Sequence, residues 1–558
     1  MIKKHSLILI IGLMTLTYCL STFLSGIKYP FGYGFWNAHG HDAIWHLAVS
    51  NQTLKSLPPQ NPVFSGYKLT GYHWGYDLIL QFIHTITQIP TITLYFQILP
   101  ILITALIAYF SYKLKKNKTS SMFFIFLNFF AGSFGYLITL YKNGNIGGES
   151  LFWSMQSISA LINPPYALSL VILLSGLYFW QKKSNKLNTQ TAILIGAFLG
   201  LNTIIKIYAA ILTGLSFSGL FLYQKITKHK NSHQTLNICI SMASVSFLLL
   251  LLIGPSTSTL IFKPFWFVHS LIDSFDKLYL PKVSSLRFNL STQILSFKLP
   301  VLIAIEIFSF AIFLIGNMGT RFLSIFTIKD IIKTKKHRQI DILFLFFSLI
   351  SIGIPTLFIQ KGTAWNTIQF FYYFLIIANF YMADYLAKLY KQKKHIYIGL
   401  IILLTIPTTL SSIRWFVGFP PPSSLPINEI EALKFLKDQP KGVVLTYPYN
   451  PDEPKIASPV PLSKYQTTAY VSAFSGHITF LEDEMNLEIT GFDWQSRRKL
   501  VDNFFKNDNP IQSVGMLLNN DIDYIYLNNP TNVIDPKILH QLTNIYDKSD
   551  IRIYKVLK

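Results

Sequence analysis

Apolar runs of about 18 to 22 residues, each long enough to cross roughly 30 Å of hydrocarbon, recur along the first three quarters of the chain and stop after Arg414. The pattern predicts about eleven transmembrane helices in residues 1–413. The first, over 6–25, exceeds a signal-peptide core and has no clear small-x-small cleavage site, so it reads as a retained helix. A polar, aromatic-rich loop over 26–76 follows, then a stretch at 77–89 that is too short to span and reads as re-entrant or interfacial. Further helices are expected over 91–114, 120–140, 165–180, 236–252, 299–317, 340–358 and 396–413, with one more between QKGTAWN and KLYKQKK. The long run 191–223 carries Lys206 at its middle, where a charge would cost roughly 3 kcal/mol or more at mid-bilayer. A two-helix hairpin with its tip near Lys206 removes that cost. The loop at 255–297 contains the amphipathic FKPFWFVHSLIDSFDKLY, expected to lie along the membrane surface.

Beyond the last run the pattern changes. Residues 414–426 include PPPSSLP, a stiff connector. Residues 427–558 alternate helical segments (EIEALKFLKDQ, SRRKLVDNFF) with strand-like ones (GVVLTYPY, DYIYL, IRIYKV) and predict a small α/β domain. The fold class is therefore mainly α, a polytopic helical membrane protein with a C-terminal α/β domain.

Composition agrees: 51% of residues are hydrophobic and 13% charged, which excludes a soluble protein of ordinary surface-to-core ratio. The net charge of +22 would suggest a nucleic-acid binder in a soluble chain. Here the basic residues gather in short loops such as KLKKNK, QKKSNK, KITKHK and KLYKQKK. That is the positive-inside pattern, which predicts a multi-pass protein of the cytoplasmic membrane, N-terminus cytoplasmic and α/β domain outside. Residues 427–558 show no basic face interleaved with stacking aromatics, so the bilayer and not nucleic acid is the expected partner. Cys19 and Cys239 both lie in apolar runs, which leaves neither a disulfide framework nor a Cys-ligated zinc site.

Candidate chemistry concentrates in the first loop. HGHDAIWHLAVSN places His39, Asp42 and His46 three and four residues apart, on one face if the stretch is helical, with His41 beside them. A carboxylate among imidazoles could act as general base towards a hydroxyl or bind a divalent cation. Equally, Asp42 could cap the helix while the histidines sit in a wet interface. NPVFSGYKLTGYHWGYD adds Tyr72, His73, Trp74 and Asp77, an interfacial aromatic belt or a surface for a sugar ring. Glu149 reads as solvation of a Gly-rich turn, and Glu482, Asp483, Glu484 and Glu488 as a solvated loop.

The order of these parts, a long first helix, an external loop with an early acidic residue, short-looped helices and an extracytoplasmic C-terminal domain, resembles the GT-C superfamily of polytopic membrane glycosyltransferases. Protein O-mannosyltransferases and the bacterial lipid A aminoarabinose transferases belong to it. The motifs HDAIWH, NPVFSGYKLTGYHWGYD, ALINPPYALSL, IKIYA, GNMGTRFL, QKGTAWNTIQFFYY and TAYVSAFSGHITFLEDEMNLEITGFDW are similar to those of a group of bacterial GT-C-like membrane proteins with no assigned substrate. The resemblance implies transfer of a sugar from a polyprenyl-phosphate donor to an extracytoplasmic acceptor, a cell-envelope glycan, lipid or protein. It assigns Asp42 as the catalytic or metal-binding carboxylate, with His39, His41, His46, Tyr72 and His73 around it. A single Asp42 departs from the paired acidic pattern of several members and leaves open a divalent cation, Mg or Mn, on Asp42 and His46. The donor phosphate needs cations, for which Lys206, Arg287 and Lys361 are candidates, each with lipid-headgroup snorkelling as its alternative. Trp365 and Asn366 could line a sugar pocket or anchor a helix at the interface. The α/β domain is expected to bind acceptor or cover the site. Two rival readings are a transporter or flippase of lipid-linked saccharides, and a non-catalytic membrane scaffold.

Overall fold

The computed structural model describes residues 4–183, 187–255, 259–292, 298–335, 337–454, 456–506, 509–529 and 534–558. Part of the basic loop QKKSNK and parts of the 255–297 loop lie outside the described residues. The chain divides into two compact units. One comprises Met1–Ser21, Ile101–Leu249 and Thr259–Trp415; the other comprises Thr22–Pro100, Leu250–Ser258 and Phe416–Lys558.

The first unit is helical. Six described helices are long and apolar enough to cross a membrane: Thr91–Leu114, which enters it from the second unit, then Ile207–Ile226, Ser232–Ile253, Leu299–Thr334, Gln339–Leu357 and Ala364–Lys391. Two bent pairs, Lys118–Phe130 with Gly135–Asn143 and His395–Thr405 with Pro407–Val417, bring the number to eight if each is one span. The other expected segments are helices too, but shorter or less apolar: Ile8–Cys19, Pro164–Lys183 and Thr189–Ile205. Pro164–Lys183 is buried along most of its length, and a helix walled in by protein needs no lipid-facing side.

The predicted reversal at Lys206 is present. Thr189–Gly200 runs parallel to Ser232–Ile253, with Gly196 against Ile238 and Gly200 against Val245. Ile207–Ile226 runs antiparallel to it, Gly214 lying against Met242 and Ser218 Oγ 4.0 Å from Cys239 Sγ. Lys206 itself is extended (φ −159°, ψ 97°) between the two arms.

The break between Lys118–Phe130 and Gly135–Asn143 frees backbone carbonyls inside the unit, and a wholly buried Arg321 takes them up. Its guanidinium donates to the carbonyls of Ala131 (Nη2), Gly132, Asn317 and Met318 (all Nη1). It also donates to Asn379 Oδ1 (2.8 Å), Gln156 Oε1 (2.7 Å) and Ser157 Oγ (3.2 Å). Only a planar five-donor fork can serve so many acceptors at once.

In the second unit the strand-like segments build a five-stranded sheet: β1 (Val443–Thr446), β2 (Ile478–Thr479), β3 (Ile522–Leu527), β4 (Leu542–Lys548) and β5 (Ile551–Val556). The order is β4-β5-β3-β1-β2. β1, β2 and β3 run parallel, while β5 pairs antiparallel with both β3 and β4. The helix Ile427–Lys437 packs on it through Ala432, Leu433 and Leu436. A second small sheet joins the first loop to the connector: Gly32–Phe35 pairs antiparallel with Ser423–Pro426. The proline-stiffened stretch thus serves as a strand, its extended backbone already suited to the ladder.

Candidate active site

The first loop does not form one continuous helix. A 3-10 turn, Asn37–Gly40, is followed by a kink at His41 (φ −129°, ψ −71°) and then by the helix Asp42–Thr53. The kink takes His39 off the helix that carries Asp42 and His46. His39 turns away to Ser25 Oγ (2.7 Å), and burial drives its ring down to about 3, so it stays neutral. His46 turns to Asp77, Nδ1 to Oδ1 2.8 Å, within a wall of Tyr72, Tyr76 and Tyr95. The Asp77 carboxyl is fully buried, and burial raises it against the lowering effect of His46. Asp77 lies in the short helix Gly75–Thr87, which buries only its first turns.

The residue that meets Asp42 is its neighbour. His41 Nδ1–H donates to Asp42 Oδ1 (2.8 Å), and Nε2–H donates to Asp483 Oδ1 (3.1 Å). Ionised carboxylates only accept, so both ring nitrogens carry protons and the buried ring is an imidazolium. Burial alone would lower it, but the charge and hydrogen bond of Asp483 and the hydrogen bond to Asp42 push it up to about 10. The sequence suggests a carboxylate between imidazoles; the structure holds an imidazolium between carboxylates.

The two carboxylates differ. Asp483 is buried, its backbone left-handed (φ 47°), and its oxygens also accept from Asn486 N (3.2 Å) and Asn486 Nδ2 (2.8 Å). Asp42 stands in the first turn of its helix, where the dipole favours an anion, and its side chain is 56% exposed. Desolvation by the protein around it raises the carboxyl, but the hydrogen bond and charge of His41 hold it below the usual carboxylate range. Asp42 is therefore ionised at neutral pH, fixed on one oxygen and open on the other. Such a group can accept a hydrogen bond from a substrate hydroxyl and orient it.

Asp483 was missed as a functional residue because FLEDEM reads as a solvated acidic run. Glu482 and Asp483 are both buried; Glu482 accepts from the backbone N–H groups of Val471 and Ser472 (3.1 Å each). An acidic pair followed by apolar Met485 and Leu487 is a signal that could have flagged it. Glu149 also departs from the solvated reading. Its Oε1 accepts from Gln156 N (2.6 Å), and burial pushes the carboxyl up to about 7.

The remaining candidates are placed as follows. Tyr72 stacks on His73 (4.8 Å between ring centroids) and meets Trp45 edge-on. Lys206 is buried, with Nζ 3.5 Å from Asn163 Oδ1 and 5.3 Å from the Tyr208 ring centroid. Arg287 is paired with Asp273 (3.0 Å). Lys361 is exposed, Trp365 is 55% exposed, and Asn366 Oδ1 accepts from Gln369 Nε2 (3.2 Å). Among the described residues no group of three or more His, Cys, Asp or Glu side chains is arranged to hold a metal ion, so the divalent cation expected on Asp42 and His46 finds no third such ligand there.

No protein-family model matches the chain, and no curated protein matches it in sequence. Its three-dimensional structure is similar to solved structures of the Archaeoglobus fulgidus oligosaccharyltransferase. The apo form is 11% identical over 94% of this chain and 70% of that one, with a TM-score of 0.51. A complex of that protein with an inhibitory peptide and a dolichol-phosphate is 9% identical over 93% and 69%, TM-score 0.49. Its complex with Zn and sulfate is 10% identical over 93% and 67%, TM-score 0.49. At such identity the likeness speaks for the fold alone. With its succession of apolar helices, its α/β sheet and this likeness, the chain is a polytopic membrane protein with a GT-C-like fold.

Proposed function

We propose that the protein is a membrane glycosyltransferase that moves a sugar from a polyprenyl-phosphate donor to an acceptor hydroxyl on the outer side of the cytoplasmic membrane. The observation that carries this reading is the half-open Asp42 carboxylate, held by His41, which is itself anchored by buried Asp483. The acceptor O–H donates to the free side of Asp42. As the new oxygen–C1 bond forms, the proton passes to the carboxylate, the C1–O bond to phosphate breaks, and polyprenyl phosphate leaves with the electron pair. One displacement inverts the anomeric carbon. The lowered proton affinity of Asp42 makes it a weak base, so its main contribution is orientation, with proton transfer late in the step. The leaving phosphate needs a cation, for which Lys206, Arg287 and Lys361 are the candidates; Arg287 is paired with Asp273, and Lys361 is a surface group. The GT-C-like fold and the apolar helices support a membrane setting and a lipid-linked donor.

The test is incubation of the purified protein with a panel of polyprenyl-phosphate sugars and detection of released polyprenyl phosphate by mass spectrometry. Release by the wild type and none by Asp42→Asn is the expected result. Release by both would remove Asp42 from the mechanism, and release by neither, from protein shown to be folded, would remove the reaction.

A further inference from the structure

The parallel strands β1, β2 and β3 end on one side of the α/β sheet, and at their carboxyl ends lies an open cleft. Crevices at this end of a parallel sheet are where open α/β folds take ligands, because the loops leaving the strands diverge there. Thr446 closes β1, Asn528 follows β3, and Asp483, the partner of His41, follows β2. Tyr449 and Asn450 form the rim. Thr468 supplies an independent sign of a missing partner: it lines the cleft, is only 5% exposed, and its hydroxyl has no hydrogen-bond partner. A buried unsatisfied hydroxyl is costly, so one left beside a cleft marks a position for a ligand's polar group.

The charges around the cleft are spoken for. Lys464 pairs with Glu453 (3.0 Å), Glu484 with Arg498 (2.6 Å) and Asp483 with His41 (3.1 Å). Burial pushes Glu482 up to about 8, which keeps it largely neutral at physiological pH. What remains for a ligand among the described lining residues is a set of hydroxyls and carboxamides beside tyrosine rings, with no spare charge for an anion or a cation. Nor does β2, the edge strand that leads into the cleft, offer its outer edge to an extended peptide. The outer edge of β2 is occupied by the first loop, through Thr479 N to Pro62 O (2.9 Å) and Ser65 N to Thr479 O (3.1 Å).

We propose that this cleft binds a neutral saccharide, so that the acceptor is a glycan rather than a peptide. That the saccharide is the acceptor rests on the glycosyl-transfer reading above; that it binds in the cleft does not. The full chain in nanodiscs is titrated with mannotriose, maltotriose, chitotriose and a set of Ser- and Thr-containing peptides, and binding is read by saturation-transfer difference NMR. At least one trisaccharide is expected to bind wild type, and to bind Thr468→Val and Asn450→Ala about tenfold more weakly. Asn450 is exposed, so its variant probes the cleft without disturbing the core. Absence of trisaccharide binding, binding unchanged in both cleft variants, or binding of peptides alone would overturn the proposal. Donor turnover without trisaccharide binding would sink the cleft and leave the transferase; trisaccharide binding without turnover would do the reverse.

Discussion

Two buried cations illustrate two uses of charge in this molecule. Arg321, in the helical unit, is held by neutral oxygens: four backbone carbonyls, two carboxamides and a hydroxyl. His41, in the α/β-containing unit, is held by two carboxylates, and one of these faces solvent. Dipoles on all sides satisfy a cation's donors and leave none over for a ligand, so Arg321 works as a structural tie across a helix break. A cation between two anions leaves a net negative charge, and here that charge is placed on the oxygen a substrate can reach. The difference between keystone and chemistry lies in what surrounds the charge, not in its depth.

The contrast can be broken most sharply at Arg321. Arg321→Ala strands several buried carbonyls and should cost roughly 3–5 kcal/mol, enough to lose monodisperse protein on size-exclusion chromatography. Arg321→Lys should fare little better, since a point charge cannot serve the same fork of acceptors. If either variant runs as wild type, the keystone reading is wrong. At the other cation the effect should fall on rate. Asp42→Asn is expected to lower polyprenyl-phosphate release by roughly 10²- to 10⁴-fold while the protein stays folded.

Asp483→Asn should have a smaller effect, roughly 10- to 100-fold on kcat with KM for the donor unaltered, because it frees His41 and through it misplaces Asp42. A KM change alone would argue against positioning. The clamp also has a pH signature. His41 is held near 10 against an ordinary value of 6.5, so its stabilisation is complete below about 6.5, declines as pH rises, and is gone once pH passes about 10. The wild-type melting temperature should therefore fall between those limits, and in Asp483→Asn the fall should be shallower and come at lower pH. The smallest effect is expected at Lys548, whose pair with Glu431 (2.7 Å) is fully at the surface. Lys548→Ala should leave the melting temperature within error at moderate salt, as exposed ion pairs generally do.

Much of the helical unit was legible in the chain because lipid imposes a one-dimensional rule: apolar length decides what spans. All eleven predicted segments are helical, and the reversal at Lys206 followed from the cost of a charge in an apolar run. The rule is weaker for walled-in helices, which is why Pro164–Lys183 fails the test of length and apolarity that six others pass. The strand-like segments of 427–558 also form strands, since VVLT and IDYIYL carry the β-branched and aromatic residues that suit a pleated core.

The sequence by itself determined a membrane protein, the succession of its helices, its terminal α/β sheet and the prominence of Asp42. Only the tertiary structure decided which histidine serves Asp42, because a kink at His41 sends His39 and His46 to different partners. It alone brought in Asp483, 441 residues further along the chain from Asp42. Helical periodicity describes neighbours three and four residues apart, whereas the proton affinity of an imidazole depends on whatever charge lies within a few ångströms, however distant in sequence.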